Sequence, residues 1–190
     1  MSLNEALSFH GEFMNRRQFF KSSLVIGGSL VGVGTSTVLL TEGVKRVDLK
    51  ISTALKRLEL LSNKNLVQTG EWDIYEIFMH CAQSVEYSMS QFPEHHSNFF
   101  KKTVGTLAFS IFESKGKMIH GLSEPIPGSP LVKTSLDTKA AMDHLKKSLI
   151  DFENYTGKLA PHFAYGELTK NEYEIAHVMH LYNHLEEIQS

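Results

Sequence analysis

The sequence predicts an all-α protein: a four-helix bundle with a short accessory helix after the second helix, preceded by a hydrophobic segment. Three observations carry this expectation. Apolar residues recur at three- and four-residue steps in long stretches bounded by prolines, glycines and capping residues. No stretch shows the sustained alternation of a half-buried strand. At 190 residues, with 42% hydrophobic and 21% charged side chains, the chain is long enough for one domain with a proper core and a short appendage.

The elements follow in order. From Val44 the apolar positions Val44, Val47, Ile51, Leu55, Leu58 and Leu61 mark one face of an amphipathic helix, with basic residues outside. "NKNLVQTGE" ends it. Trp72 to Phe92 reads as the second helix, stopped by Pro93. "NFFKKTVGTLAFSIFESKGK" is the accessory helix, and "HGLSEPIPGSP", with its three prolines, cannot continue it. The next helix starts near Asp137 and sets Ala141, Leu145, Leu149 and Phe152 on one side. "YTGKLAPHFAYGEL" is a loop that leads to Thr169, an N-cap with Glu172 three residues on, and the last helix runs from there to the C-terminus.

Residues 1–41 stand apart from the bundle expected over 42–190. They have a polar region up to about Lys21, containing Arg16, Arg17, Phe19 and Phe20, then an uncharged stretch over 22–41. The run Arg16-Arg17-Gln18-Phe19-Phe20-Lys21 resembles a twin-arginine export signal, whose pattern is Arg-Arg-x-Phe-Leu-Lys. That resemblance implies passage through the twin-arginine translocation machinery and a place in the periplasm or cell envelope. Glycines and Ser/Thr make the stretch only mildly hydrophobic, as suits a targeting segment. The alternative is a membrane anchor, since about 20 residues cross a bilayer. In that case residues 22–41 would attach the protein to the inner membrane. Small residues such as Gly34, Thr35 and Ser36 follow without a clean Ala-x-Ala site, so both readings stay open, as does a start at Met1 or at Met14.

A formal net charge of −2 gives no electrostatic footprint for nucleic acid. The single cysteine, Cys81, excludes a disulfide framework and Cys-rich metal sites, and it reads as a buried apolar side chain rather than a nucleophile. Histidine is the unusual item, with ten in the chain. "AHVMHLYNHLEEI" sets His177, His180 and His184 at i, i+3 and i+7, on one arc bordering the apolar face of the last helix. His180 and His184 have the H-x-x-x-H spacing that lets two imidazoles grip one ion from the same side. Spacing alone equally fits ordinary border histidines. His80, among Phe78, Met79 and Cys81 on the second helix, is the candidate for a third ligand, with Glu76 and Gln83 near enough to orient it. A core histidine satisfied by a hydrogen bond is the alternative.

"WDIYEIFMHCAQSVEYSM" together with "PHFAYGELTKNEYEIAHVMHLYNHLEEI" resembles the DinB-like (YfiT-like) superfamily of metal-dependent helical bundles, in one of its uncharacterised branches. The shared pattern is a Trp and then a His on the second helix, a His-Pro-x-Phe-Gly-like loop, and a closing His-x-x-His-His, over roughly residues 70–188. The resemblance implies a ligand triad of His80, His180 and His184. The chain departs from the pattern at Asn183, where many relatives carry His, at Tyr173, where Trp is common, and in the order Pro161-His162-Phe163.

Three neutral imidazoles would leave a coordination position for water or substrate. Zn²⁺ fits such a set, and Ni²⁺, Fe²⁺ or Mn²⁺ are allowed. The expectation is an exported divalent-metal protein, acting as a metal-dependent hydrolase or transferase on a small-molecule substrate. The alternative is a non-catalytic metal-binding or interaction module of the cell envelope. No catalytic residue is assigned. His177, Glu76 and Glu187 are the candidates for moving a proton or orienting ligands. His162 and Tyr165 either line the pocket mouth or pack, His95 and His96 receive no role, and a homodimer is left open.

Overall fold

The computed structural model describes residues 49–135 and 137–190. The expected signal or anchor over 1–41, the alternative start at Met14, and the first turns of the opening helix at Val44 and Val47 lie outside the described residues. Among the described residues, no helix is long and apolar enough to cross a membrane. The described residues are mostly helical, as the periodicity predicts, and fall within one compact unit.

Helix α1 spans Ile51–Ser62 and buries Ile51, Ala54 and Leu58. Its start is tied to the last helix: the Ile51 N–H donates to Glu174 Oε1 at 3.1 Å, and Lys50 Nζ reaches Glu174 Oε2 at 2.8 Å. Helix α2, Ile74–Met89, is shorter at both ends than the apolar run suggested. Asp73 starts it with a capping box, its side chain accepting from the Glu76 N–H while the Glu76 carboxylate accepts from the Asp73 N–H. Such a cap satisfies two N–H groups that the first turn cannot pair.

A single α turn at Asn98–Phe100, a π-helical stretch at Lys101–Gly105 and helix α3, Thr106–Lys115, together make up the accessory helix. The π stretch ends at Gly105. A Cβ there would lie 1.9 Å from the Ala164 carbonyl oxygen, so glycine lets this helix press against the 161–166 loop. Gly116, with φ of 64°, ends α3 in the left-handed conformation that favours glycine. The proline-bearing loop beyond it is pinned by Met118 and Ile126, both buried in the core. Helix α4, Thr138–Asn154, is capped by Asp137 and buries Ala141, Leu145, Leu149 and Phe152. Helix α5, Lys170–His184, begins with the expected Thr169–Glu172 capping box.

The last helix does not run to the C-terminus. It ends at His184, passes through a 3₁₀ turn at Leu185–Glu187, and closes with strand β2, Ile188–Gln189. β2 pairs antiparallel with β1, Val67–Gln68, in the register Val67↔Gln189 and Gln68↔Ile188. A strand pair this short carries no alternation in the sequence. Its role is positional, because it holds the segment leading to Trp72 beside the end of α5, where Trp72 lies parallel to His184 at 6.0 Å.

The core is continuous. Ile77, Phe78 and Val85 of α2 meet Leu145, Leu149 and Phe152 of α4 and Val178, Met179 and Leu181 of α5, all nearly inaccessible. Burying each large apolar side chain is worth about 1.5–3 kcal/mol. This packing of α2 against α5 sets the distance between His80 and the histidines of α5.

Candidate metal centre

His80 from α2, His180 and His184 from α5, and His120 from the loop after α3 converge, each offering a ring nitrogen within 4.8 Å of the others. His180 Nε2 lies 3.1 Å from His80 Nε2 and 3.1 Å from His184 Nε2. His180 and His184 meet each other, His80 and His120 edge-on, with ring centroids 4.8–5.0 Å apart. A single proton or lone pair on His180 Nε2 cannot make two good hydrogen bonds to such neighbours. His120 Nε2 is buried without a hydrogen-bond partner among the described residues. Nitrogens crowded in this way are better satisfied by a cation among them than by one another. Four imidazoles on a tetrahedral Zn²⁺ would place their nitrogens about 3.3 Å apart. The donor set therefore fits a divalent ion with little rearrangement.

The outer contacts support the same use. Asn183 Oδ1 lies 2.8 Å from His120 Nδ1 and accepts from the His120 backbone N–H at 3.2 Å. Nδ1 therefore carries the ring proton, and the Nε2 lone pair faces the cluster. Trp72 lies edge-on to His80, with ring centroids 4.8 Å apart, and shields the group on one side.

Burial keeps these rings neutral. It lowers His80 to about 3, helped by the nearby His120, and lowers His184 to about 2, helped by His80 and His120. His180 is held well below its ordinary value, first by burial and then by the surrounding histidines. His120 is lowered by burial, although its hydrogen bond to Asn183 opposes the shift. Neutral imidazole is the form that ligates.

The structure thus brings His80, His180 and His184 together and adds His120, which the sequence reading did not single out. His120 has no spacing partner. The available signal was its apolar flank, Met118-Ile119, resembling the Phe78-Met79 that precedes His80.

The remaining candidates separate. His177 turns away from the cluster. It is buried, with Nε2 3.1 Å from Ser88 Oγ, and it packs between Tyr173 and Phe152. Ser88 Oγ itself donates to the Val85 carbonyl at 2.6 Å, so the pair is a structural link between α2 and α5 and not an exposed proton carrier. Glu187 lies against Gly70, with one carboxylate oxygen buried and without a hydrogen-bond partner among the described residues. His162 and Tyr165 pack instead of lining a pocket mouth: His162 stacks on Tyr165 at 4.3 Å, and its Nδ1 accepts from the Ala164 and Tyr165 N–H groups. His95 and His96 pack on Phe92 and Phe100. Cys81 is free and buried, and burial raises its thiol far from the reactive range.

Glu76 remains beside the cluster. It lines a cleft of about 220 Å³ with Trp72, His80, Gln83, Leu131 and Val132. Pro125 and Pro130 complete the outer wall, and Gln83 Nε2 lies 3.4 Å from the Pro130 carbonyl oxygen. The loop that delivers His120 therefore also walls this cleft.

In comparison with known proteins, residues 45–190 match the family described as "Protein of unknown function (DUF1569)", and the chain belongs to that family. No curated protein and no solved structure gives a match.

Proposed function

We propose that this DUF1569 member binds a divalent metal ion through His80, His180 and His184, with His120 as a fourth nitrogen, and acts on a small molecule as a metal-dependent hydrolase or transferase. The carrying observation is the convergence of four neutral histidine nitrogens within 4.8 Å. Zn²⁺ suits four imidazoles in a tetrahedron, while Ni²⁺, Fe²⁺ or Mn²⁺ would accept the same nitrogens and leave positions over. Once bound, such an ion acidifies a coordinated water or thiol, or polarises a carbonyl.

The chain's own residues would do the rest. The α2–α5 packing holds three of the nitrogens, Asn183 fixes the tautomer of His120, and Trp72 keeps bulk water from one side. The cleft beside His80 supports a small-molecule substrate. Of the three side chains weighed for a role in the reaction, Glu76 is the one on that cleft. We further propose that α1, α2, α4 and α5 form a four-helix bundle of the DinB-like kind, to which the second helix and the last helix are similar in pattern. Export is part of the same proposal, on the resemblance of residues 16–21 to a twin-arginine signal: delivery by the translocation machinery to the periplasm or cell envelope, released or held at the inner membrane through 22–41.

A second reading is a closed, non-catalytic metal-binding module, and His120 favours it, because four protein ligands on a tetrahedral ion leave no place for substrate. Loading the protein with Co²⁺ and recording its visible spectrum tests both. A five- or six-coordinate spectrum, or one that changes when a small thiol is added, supports the enzyme. A four-coordinate spectrum indifferent to added ligands supports the closed module. No Co²⁺ spectrum at all removes the metal centre.

A further inference from the structure

The chain has one tryptophan, and it stands in the wall of the cleft beside His80. Glu76, His80 and Gln83 fall at i, i+4 and i+7 along one face of α2, so the carboxylate and the carboxamide flank the histidine. Each flanking group has a distinct setting. Gln83 is turned to the Pro130 carbonyl oxygen and braces the outer wall. Glu76 lines the cleft and uses Oε2, not Oε1, in the cap of α2. Among the described residues, no Lys or Arg lines the cleft, so this carboxylate meets no counter-charge from them there. Leu131 and Val132 supply an apolar surface opposite α2.

We propose that this cleft binds a small organic amine in its protonated form, the ammonium beside Glu76 and the Trp72 ring and the apolar body against Leu131 and Val132. The proposal names the substrate class for the metal centre and rests on that reading for its catalytic meaning, while binding itself does not require the metal. A carboxylate without a counter-charge in a partly enclosed, low-dielectric cleft favours a cation over an anion. An adjacent indole adds to that preference. The cleft is smaller than the drug-sized range of about 300–1,000 Å³, so the ligand is a small one. With its ammonium at the Glu76 end, the other end of such an amine can reach toward His80.

Because the chain has a single tryptophan, its fluorescence reads the cleft directly. The full chain, metal-loaded and chelated, is titrated at neutral pH with benzylamine, benzyl alcohol and benzoate, which share one apolar body and differ in charge. Benzylamine is expected to give a saturable change and to bind at least about tenfold tighter than benzoate. Glu76→Gln keeps a carbonyl acceptor for the helix cap and is expected to bring benzylamine down to the affinity of benzyl alcohol. Leu131→Arg, at an exposed position, is expected to weaken benzylamine and favour benzoate. Benzoate binding as tightly as benzylamine, an amine preference that survives Glu76→Gln, or no saturable change with any of the three overturns the proposal. Metal content measured on the same samples separates the two readings. Amine binding without metal uptake leaves the cleft assignment standing and removes the metal centre, and metal uptake without amine binding does the reverse.

Discussion

Asn183 Oδ1 sits 2.8 Å from His120 Nδ1 and also accepts from the His120 backbone N–H, so one side chain of α5 holds both the ring and the main chain of the loop histidine. Asn183 lies one position before His184, on the same helix that supplies two of the clustered nitrogens. The loop, the tautomer of His120 and the α5 cluster are thereby coupled through a single carboxamide.

Removing that carboxamide is expected to weaken metal binding although no clustered histidine is altered. Partners of this kind are typically worth 10–100-fold in metal affinity, so Asn183→Ala should lose about that factor. Asn183→Asp, which keeps an acceptor for Nδ1–H, should recover most of it. Competition titration with a chromophoric chelator reads both. Equal affinity in wild type and Asn183→Ala would remove the coupling.

His177 gives the opposite pattern. It shares the arc of His180 and His184 in sequence, yet it bridges to Ser88 instead of joining the cluster. His177→Ala should leave metal content unchanged and cost about 1–3 kcal/mol of stability through the lost packing on Tyr173 and Phe152 and the lost bond to Ser88, whose hydroxyl keeps the Val85 carbonyl. Chemical denaturation alongside elemental analysis separates these effects, and loss of metal would place His177 in the centre after all.

Acid should destabilise the metal-free protein. Burial lowers His80 and His177 to about 3 and His184 to about 2 from an unfolded value of 6.5. As pH falls below 6.5, the unfolded chain takes up protons that the folded chain refuses. The stability is therefore full above that pH and is lost toward the folded values. Each ring contributes up to about 1.4 kcal/mol per pH unit in that window. A metal-free sample should unfold at markedly lower denaturant at pH 5.5 than at pH 7.5, and an unchanged midpoint would mean that the rings are not buried as described.

The cap of α5 offers a test free of the histidines. The Thr169 hydroxyl and backbone N–H both engage the Glu172 carboxylate at 2.7 Å. Thr169→Ala should cost about 1 kcal/mol, read as a lower thermal midpoint with metal content unaffected.

The helices were legible because their signals are local. Apolar spacing marked the buried faces of α4 and α5, and Thr169 with Glu172 marked the start of α5. His180 and His184 were legible as a pair because one helix presents both, and His80 as a candidate because apolar residues flank it. His120 was not, since its place depends on Gly116 turning the chain and on Met118 and Ile126 anchoring a loop in the core. The arc shared by His177, His180 and His184 does not tell the three apart for a related reason: Ser88, 89 positions earlier, is what His177 bonds to. The end of α5 escaped because β1 and β2 pair across more than a hundred residues, through two residues each.

The central claim is that the clustered nitrogens hold a metal ion. Elemental analysis of the protein purified without added metal or chelator, beside a His80→Ala, His180→Ala double variant, tests it most directly. The expected result is one divalent ion per chain in the wild type and a trace in the variant. Equal content in the two would contradict it.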